Sequence, residues 1–424
     1  MKILVVGAGA REHALASILA ADGDVSGILC APGNPGIARV ARTVPVSPSD
    51  TDGLLTLARR EGVTLTVVGP EAPLAAGLAD RFTEAGLPVL GPTRAAAQLE
   101  TSKAFAKAFM ARHRVPTAAF HTCDSPDAAR RAVADFGLPV VLKADGLAAG
   151  KGVVVAEDPA TARDAIDAAM VSGQFGDAGR RLVVEEFLRG QEASFFVLCD
   201  GTRGVLVGTA QDHKRAFDGD RGPNTGGMGA FAPSVLVDEA ARARVEREIV
   251  EPVLAGMAAE GAPFRGFLYV GLMMTADGPK VVEFNVRFGD PEAQVVLPSV
   301  EEPLARHLAS AAEGRLDCTT IRRAARCLVG VVLAARGYPG AFDKGLPVSG
   351  LDAAEALPDV LVFHAATALR EGRVVTDGGR VLTVVGRGND YATAMQRAYE
   401  AVGRIHFDGC HYRSDIGRKA LTVE

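Results

Sequence analysis

Short apolar runs that end in glycine turns and lead into helical patterns constrain the first hundred residues more than any other feature. Ile3 to Val6, "ILVV", is such a run; Gly7 and Gly9 close it, and a helical pattern follows from Arg11 to about Ala21. The order recurs. "DVSGILCAPGNPG" reads as a strand ending in a turn, "GVTLTVVGPEAPLAAGLADRF" as strand, loop and helix, and "LPVLGP" as a further strand. Strands alternating with helices predict a parallel sheet with helices on both faces.

Beyond residue 101 the pattern changes. "SKAFAKAFMARH", residues 102–113, predicts an amphipathic helix. "LPVVLKADG" and "KGVVVAE" predict two short strands on either side of a glycine-rich loop, and Asp158 and Pro159 suit the cap and first position of the next helix. "RLVVEEFL" reads as a strand, and a hairpin turns at Asp200-Gly201. A polar, glycine-rich stretch follows from Gln211 to Ala230, then a helix over 238–260 and a second hairpin, "FRGFLYVGLMMTADGPKVVEFN". After Cys327 come short strands, turns and one helix at 390–403.

A chain of 424 residues, 48% hydrophobic and 23% charged, has material for two to four domains with a sizeable core. The net charge of −5 supplies no general field for nucleic acid, so an anionic substrate needs a local cationic cluster. The six cysteines form no CxxC pair, and no apolar run approaches the ~20 residues of a membrane span. A cytoplasmic setting without membrane attachment is the expectation.

Four segments carry candidate chemistry. "GAGAREH" has Gly7 and Gly9, but Glu12 stands where a dinucleotide fingerprint has its third glycine. A turn whose amides bind an anion beside Arg11 and a turn with no ligand fit it equally well; a nicotinamide site fits less well. "VLKADGLAAGKGVVVA" is not a Walker loop: three residues separate Gly146 from Gly150, and Lys151 precedes Gly152 rather than a hydroxyl. A hairpin loop folding over phosphates, with Lys143 on the strand before it, remains; a mobile solvent loop is the alternative. In "VVEFNVRFGDPE", strand alternation gives Glu283, Asn285 and Arg287 one face and points Val282 and Phe284 into the core. A carboxylate and an amide oxygen two residues apart can share one hard cation, with Arg287 extending the row toward a phosphoryl group. "QDHKRAFDGDRGPNTGGMGAF" could cover a site; His213 in it reads as an ordinary surface histidine.

Together these segments resemble the ATP-grasp ligases and, more narrowly, the phosphoribosylamine–glycine ligase family of purine biosynthesis. The likeness runs nearly end to end, through "GAGAREHAL", "APGNPG", "VVGPEAPLAAGL", "KADGLAAGKGVVVA", "VEEFLRGQEASFFVL", "GPNTGGMGA", "RFGDPEAQ", "GYPG" and "YRSDIGRKAL". Two positions depart from the family pattern: Ala10 replaces a glycine, and Thr101 replaces the glycine of Gly-Ser-Lys.

The resemblance implies an N-terminal parallel-sheet α/β domain (1–101), an ATP-grasp core (102–325) with a lid at about 120–190, and a mixed α/β C-terminal domain (326–424). It implies that Lys103 and Lys143 touch ATP phosphates under Gly150, Lys151 and Gly152, that Glu185, Glu186, Phe187 and Leu188 line adenine, and that Glu192 holds the ribose. Glu283 and Asn285 resemble ligands of magnesium or manganese, and Arg287 the residue facing the transferred phosphoryl, with Lys143 beside it. Gly9, Ala10, Arg11, Asn34, Pro35, Gly36, Pro70, Glu71, Asp212, Lys214, Gly227, Met228 and Gly229 resemble walls for 5-phosphoribosylamine and glycine. A monomer and a glycyl phosphate intermediate are implied. A different acyl acceptor, a nicotinamide oxidoreductase and a non-catalytic nucleotide sensor are the competing readings.

Overall fold

The computed structural model describes residues 1–147 and 152–422. The N-terminal alternation becomes five parallel strands: β1 (Lys2–Gly7), β2 (Gly27–Pro32), β3 (Arg42–Thr43), β4 (Leu65–Val68) and β5 (Val89–Leu90), in the order β3-β2-β1-β4-β5. The chain winds outward from β1 on one side and then from β4 on the other. A crevice therefore opens beyond the carboxyl ends of β1 and β4, the place where open α/β sheets bind ligands. Ala10 is the first residue of the helix Ala10–Ala20 and is buried, so its departure from glycine meets ordinary helical backbone.

A small antiparallel sheet follows: β6 (Phe120–Cys123), β7 (Val140–Ala144), β8 (Val153–Ala156) and β9 (Leu182–Glu186), ordered β6-β9-β7-β8. Two helices cover it. Ser125 caps Pro126–Phe136 and Asp158 caps Pro159–Ile166, each by accepting from backbone N–H groups of the first turn, with proline at the start where no N–H is needed. This subdomain has its own core around Val140, Leu142, Ala156, Ile166 and Val184.

The remaining strands are β10 (Gln191–Asp200), β11 (Gly204–Asp212), β12 (Arg215–Phe217), β13 (Arg221–Asn224), β14 (Gly229–Ala232), β15 (Arg265–Thr275), β16 (Gly278–Asn285), β17 (Cys327–Ala334), β18 (Val360–His364), β19 (Thr367–Arg370), β20 (Arg373–Thr376) and β21 (Arg380–Gly388). Eight of them form one antiparallel sheet, β16-β15-β10-β11-β14-β17-β21-β18. The stretch 211–230, expected as loop, contains the β12–β13 hairpin and the start of β14. The "GAFA" strand has no strand signature of its own. It forms because β11 and β17 each present an unpaired edge, and all four of its residues are buried between them.

One alternation expectation fails. Between Gly271 and Leu272 the β15–β16 register slips, so that Gly271 faces Glu283 while Leu272 faces Val281. Val282 is the extra residue of a bulge and is only half-buried; Val281 and Phe284 fill the core instead. Among the described residues no helix is long and apolar enough to cross a membrane.

Candidate functional site

At the crevice the helix-start amides are not left open. The Gly9 N–H donates to the Glu12 carboxylate at 2.6 Å, and Arg11 Nε donates to its other oxygen at 2.6 Å. Glu12 is buried, and a Cβ at Gly7, Gly9 or Gly69 would strike its side chain at 2.6, 2.9 and 2.1 Å. The anion that the turn suits is therefore internal, at the place where a dinucleotide would lay its pyrophosphate. That removes the nicotinamide reading on steric grounds. Arg11 also donates to the Phe288 carbonyl at 3.2 Å, tying this loop to the segment after β16. Asn34 is buried and committed within the protein: its amide donates to the carbonyls of Ala8 and His364, each at 2.8 Å, and its oxygen accepts from Ile37 N–H. Pro35 is half-buried beside it, and Gly36 is packed where a Cβ would lie 2.4 Å from the His13 ring.

The lid sheet brings cations to the large sheet. Lys143, on β7, is buried and donates to the Val282 carbonyl at 3.0 Å while pairing with Glu185 at 2.9 Å. The bulge presents that carbonyl. Lys107, from the helix Lys103–Arg112, pairs with the other Glu185 oxygen at 2.8 Å; burial pushes its ammonium down to about 8 despite the carboxylate. Lys103 donates to the Gly146 carbonyl at 2.8 Å, and burial lowers its pKa also. Asp145 accepts from Ser102 Oγ and the Ala104 N–H, so the hinge of the glycine loop sits on the start of that helix. Gly152 is buried and its carbonyl accepts from Ala144 N–H; Gly150 and Lys151 lie outside the described residues. Glu185 and Glu186 end β9, Glu186 accepting from Ala119 N–H at 2.9 Å, and the chain leaves the sheet through exposed Phe187 and half-buried Leu188.

Facing these lysines, one side of the large sheet is acidic. Cross-strand register sets Ser194, Gly271 and Glu283 in one row and Phe196, Tyr269 and Asn285 in the next. Gly271 leaves room: a Cβ there would lie 3.2 Å from the Glu283 side chain. Lys214 pairs with Glu192 at 2.5 Å and stands 3.9 Å from Glu283. Burial alone would raise the Glu283 carboxyl, but Lys214, Lys143, Lys103 and Arg287 together hold it below the usual range. Burial lifts Asp212 to about 7, helped by Glu292, Glu192 and Glu283 and opposed by Lys214. Glu292, also raised by burial, accepts from Ser194 Oγ.

Arg287 lies just past the end of β16, between the N-terminal layer and this acidic face. Its Nε donates to Glu71 at 3.1 Å and its Nη2 to Glu100 at 3.0 Å. Glu100 is buried, also accepts from Val286 N–H at 2.7 Å, and is raised by burial. Glu71 opens a short helix whose preceding residue is Pro70; burial would raise it, but Arg287 and Arg11 lower it. A cavity of about 950 Å³ elsewhere is lined by residues that include Val153, Phe217, Tyr338 and His411, and by none of these carboxylates.

The glycine loop Gly226–Gly229 completes the ring. Gly227 has φ of +109°, and a Cβ there would fall 2.4 Å from Pro291 Cδ, so only glycine permits the approach. Met228 is fully buried, and Gly229 starts β14. His213, expected at the surface, is 1% exposed with both ring nitrogens unpartnered among the described residues. Burial, aided by Lys419 and Arg413, pushes it down to about 3. Being neutral in the fold and titratable when unfolded, it withdraws stability as pH falls below about 6.5. Asp212 works in the opposite direction, so a difference measurement is needed. Relative to His213→Phe, the wild type should lose up to about 2 kcal/mol between pH 7.5 and 5 in urea unfolding. A pH-independent difference would contradict this.

Sequence reasoning did not find Lys107, Glu100, Tyr269 or Glu292. The placing of Lys107 four residues after Lys103, on one helical face, was the available signal. Glu100 and Tyr269 carried none.

Three family models match the chain: the phosphoribosylglycinamide synthetase N domain over residues 1–100, its ATP-grasp (A) domain over 101–293 and its C domain over 328–419. The phosphoribosylamine–glycine ligase of Xanthomonas axonopodis pv. citri is 52% identical over 428 residues, covering 100% of this chain and 99% of the relative. That of Ralstonia nicotianae is 50% identical over 422 residues, covering 99% and 100%. The crystal structure of phosphoribosylamine–glycine ligase from Thermotoga maritima superposes with a TM-score of 0.87 at 33% identity, covering 98% of this chain and 100% of the other. Biotin carboxylase from Campylobacter jejuni shares the fold, with a TM-score of 0.75 at 16% identity, covering 100% and 95%.

Proposed function

The chain belongs to the phosphoribosylglycinamide synthetase family, and from that premise we propose how its residues join glycine to 5-phosphoribosylamine. It is an ATP-dependent carbon–nitrogen ligase of purine biosynthesis, and its ATP-grasp fold binds ATP with a divalent cation. The observation that carries the division of labour is the facing of two surfaces: Lys103, Lys143 and the Gly146 carbonyl on one side, Glu283 and Asn285 on the other, with Arg287 at the edge toward the N-terminal crevice.

ATP lies between the two sheets, its phosphates against Lys103 and Lys143, adenine toward Glu185–Leu188 and ribose at Glu192. Glu283, held ionised, and Asn285 offer hard oxygen donors that fit magnesium, with manganese as a substitute. The bound cation would screen the charge of the phosphate tail. A carboxylate does not acylate an amine directly, because its leaving group is oxide. The glycine carboxylate therefore attacks the γ-phosphoryl, ADP leaves, and the amine of phosphoribosylamine displaces phosphate from glycyl phosphate. Arg287 faces the transferring phosphoryl, so its guanidinium offsets charge that grows in the transition state. The loop over residues 145–152 excludes water from an acyl phosphate that hydrolyses readily.

Arg11, Glu71, Asp212, Lys214 and Gly227–Gly229 surround the remaining space, which would take phosphoribosylamine and glycine. The proposed functional units are 1–101 for substrate, 102–325 for ATP and 326–424 as the layer backing the glycine loop. A cytoplasmic monomer is the proposed state, which sedimentation of the purified chain tests. The decisive assay measures ADP formation with magnesium or manganese, glycine and freshly generated phosphoribosylamine, each omitted in turn. Each omission should abolish turnover. Steady ADP formation without either substrate would overturn the reading, and turnover with a different amine acceptor would point to another ligase.

A further inference from the structure

The glycine loop is held from behind by two side chains of the C-terminal layer. Gly226 N–H donates to Tyr338 Oη at 2.9 Å, and Arg380 Nη1 donates to the Gly226 carbonyl at 2.6 Å. Both polar groups of one residue are thus taken by side chains more than a hundred residues away in sequence. A Cβ on Gly226 would lie 3.1 Å from Arg380 Cζ and 3.2 Å from Tyr338 Oη, so glycine is what lets them reach the backbone.

The same guanidinium serves a second loop. Nη1 also donates to the Asp290 carbonyl at 2.8 Å, and Nη2 pairs with the Asp290 carboxylate at 3.3 Å. Gln294 holds the other carboxylate oxygen at 2.8 Å. Asp290 follows Arg287 by three residues and is the nearest acidic neighbour, other than Glu12, of the Gly9 turn: a Cβ at Gly9 would lie 3.8 Å from it. Pro291, next in sequence, packs against Gly227. Arg380 therefore stands where the three loops around the crevice meet, and opens β21, which lies between β17 and the edge strand β18 of the large sheet.

We propose that Arg380 is a positioning residue for the phosphoribosylamine pocket, locking the Gly226–Gly229 loop to the Asp290 segment, with Tyr338 as its partner. The proposal rests on the reading above that these loops wall that pocket. A forked donor can bridge two carbonyls and a carboxylate at once, which a lysine ammonium on a flexible stem cannot do with fixed geometry. Within the loop, Thr225 Oγ accepts from Gly227 N–H at 3.0 Å and the Met228 side chain is buried, whereas Gly226 has no side chain to anchor it and is set in place from outside by Tyr338 and Arg380.

Kinetics of Arg380→Ala, Arg380→Lys and Tyr338→Phe test this, each against ATP, glycine and phosphoribosylamine. Arg380→Ala should lower kcat/KM for phosphoribosylamine on the order of 100-fold, the scale expected when a ~1 Å misplacement disturbs a bound reactant. KM for ATP should stay near wild type, and the thermal midpoint should fall less in Arg380→Lys, which keeps a charge beside Asp290, than in Arg380→Ala. Arg380→Lys should recover only part of the loss, and Tyr338→Phe should show a smaller loss in the same parameter. Calorimetry with glycinamide ribonucleotide should show the same ranking in product affinity. Equal losses for ATP and phosphoribosylamine, or kcat/KM within twofold of wild type in Arg380→Ala, would overturn the proposal. If the wild type itself ignores phosphoribosylamine, the functional reading fails instead, and the two failures are told apart in one experiment.

Discussion

Arg287→Lys is expected to lower kcat by about 10³-fold while the protein still folds, because an arginine facing a transferring phosphoryl supplies roughly that much. The guanidinium spans two carboxylates at once, Glu71 at 3.1 Å and Glu100 at 3.0 Å. A lysine cannot keep both partners and also present a charged plane to phosphate. The choice of lysine over alanine matters for interpretation. Removing the charge would leave Glu100 buried without its cationic partner, a loss of about 3–5 kcal/mol for a broken buried pair. Glu100 is already shifted toward its neutral form by burial, which moderates that loss. Single-turnover phosphate release, read beside a thermal melt, separates the two effects. A lysine variant within tenfold of wild-type turnover and equally stable would remove Arg287 from the chemical step.

Glu283→Gln should retain the fold and weaken the metal-dependent reaction, with turnover falling about 100-fold at ordinary magnesium. The half-activating metal concentration should rise at least about 10–100-fold, the change seen even when only an outer-shell partner of a metal is altered. Glutamine keeps the volume and loses the charge. It leaves Lys214, Lys143 and Lys103 without the carboxylate that they hold ionised. Their mutual repulsion then adds to the lost ligand, so excess metal should restore only part of the activity. Titration of ADP formation with magnesium measures both quantities. An unchanged metal dependence would take Glu283 out of the cation site.

Some of this was open to reading from the chain alone. The βα alternation requires the parallel layer, because a parallel neighbour needs a crossover. The strand–glycine loop–strand pattern at 140–156 requires a hairpin, and β7 and β8 pair across it with Lys143 opposite Val153. Period two brings Glu283 and Asn285 to one face. These are local rules, acting within a dozen residues, so the sequence expresses them directly.

What lay beyond reading depends on partners far away in sequence. Val282 leaves the core because β15 and β16 slip by one residue, and the slip turns its carbonyl toward Lys143. His213 is buried because β14, a strand without strand propensity, is drawn between two unpaired edges beside it. The anion at the Gly9 turn is Glu12 itself, which only the closeness of Gly7 and Gly69 reveals. The amino-acid sequence by itself determined the layers, the family and the residue types of the site. Tertiary structure alone decided which of those residues meet, since register, burial and the clamping of glycine loops by Arg380 and Tyr338 arise between segments that share no local pattern.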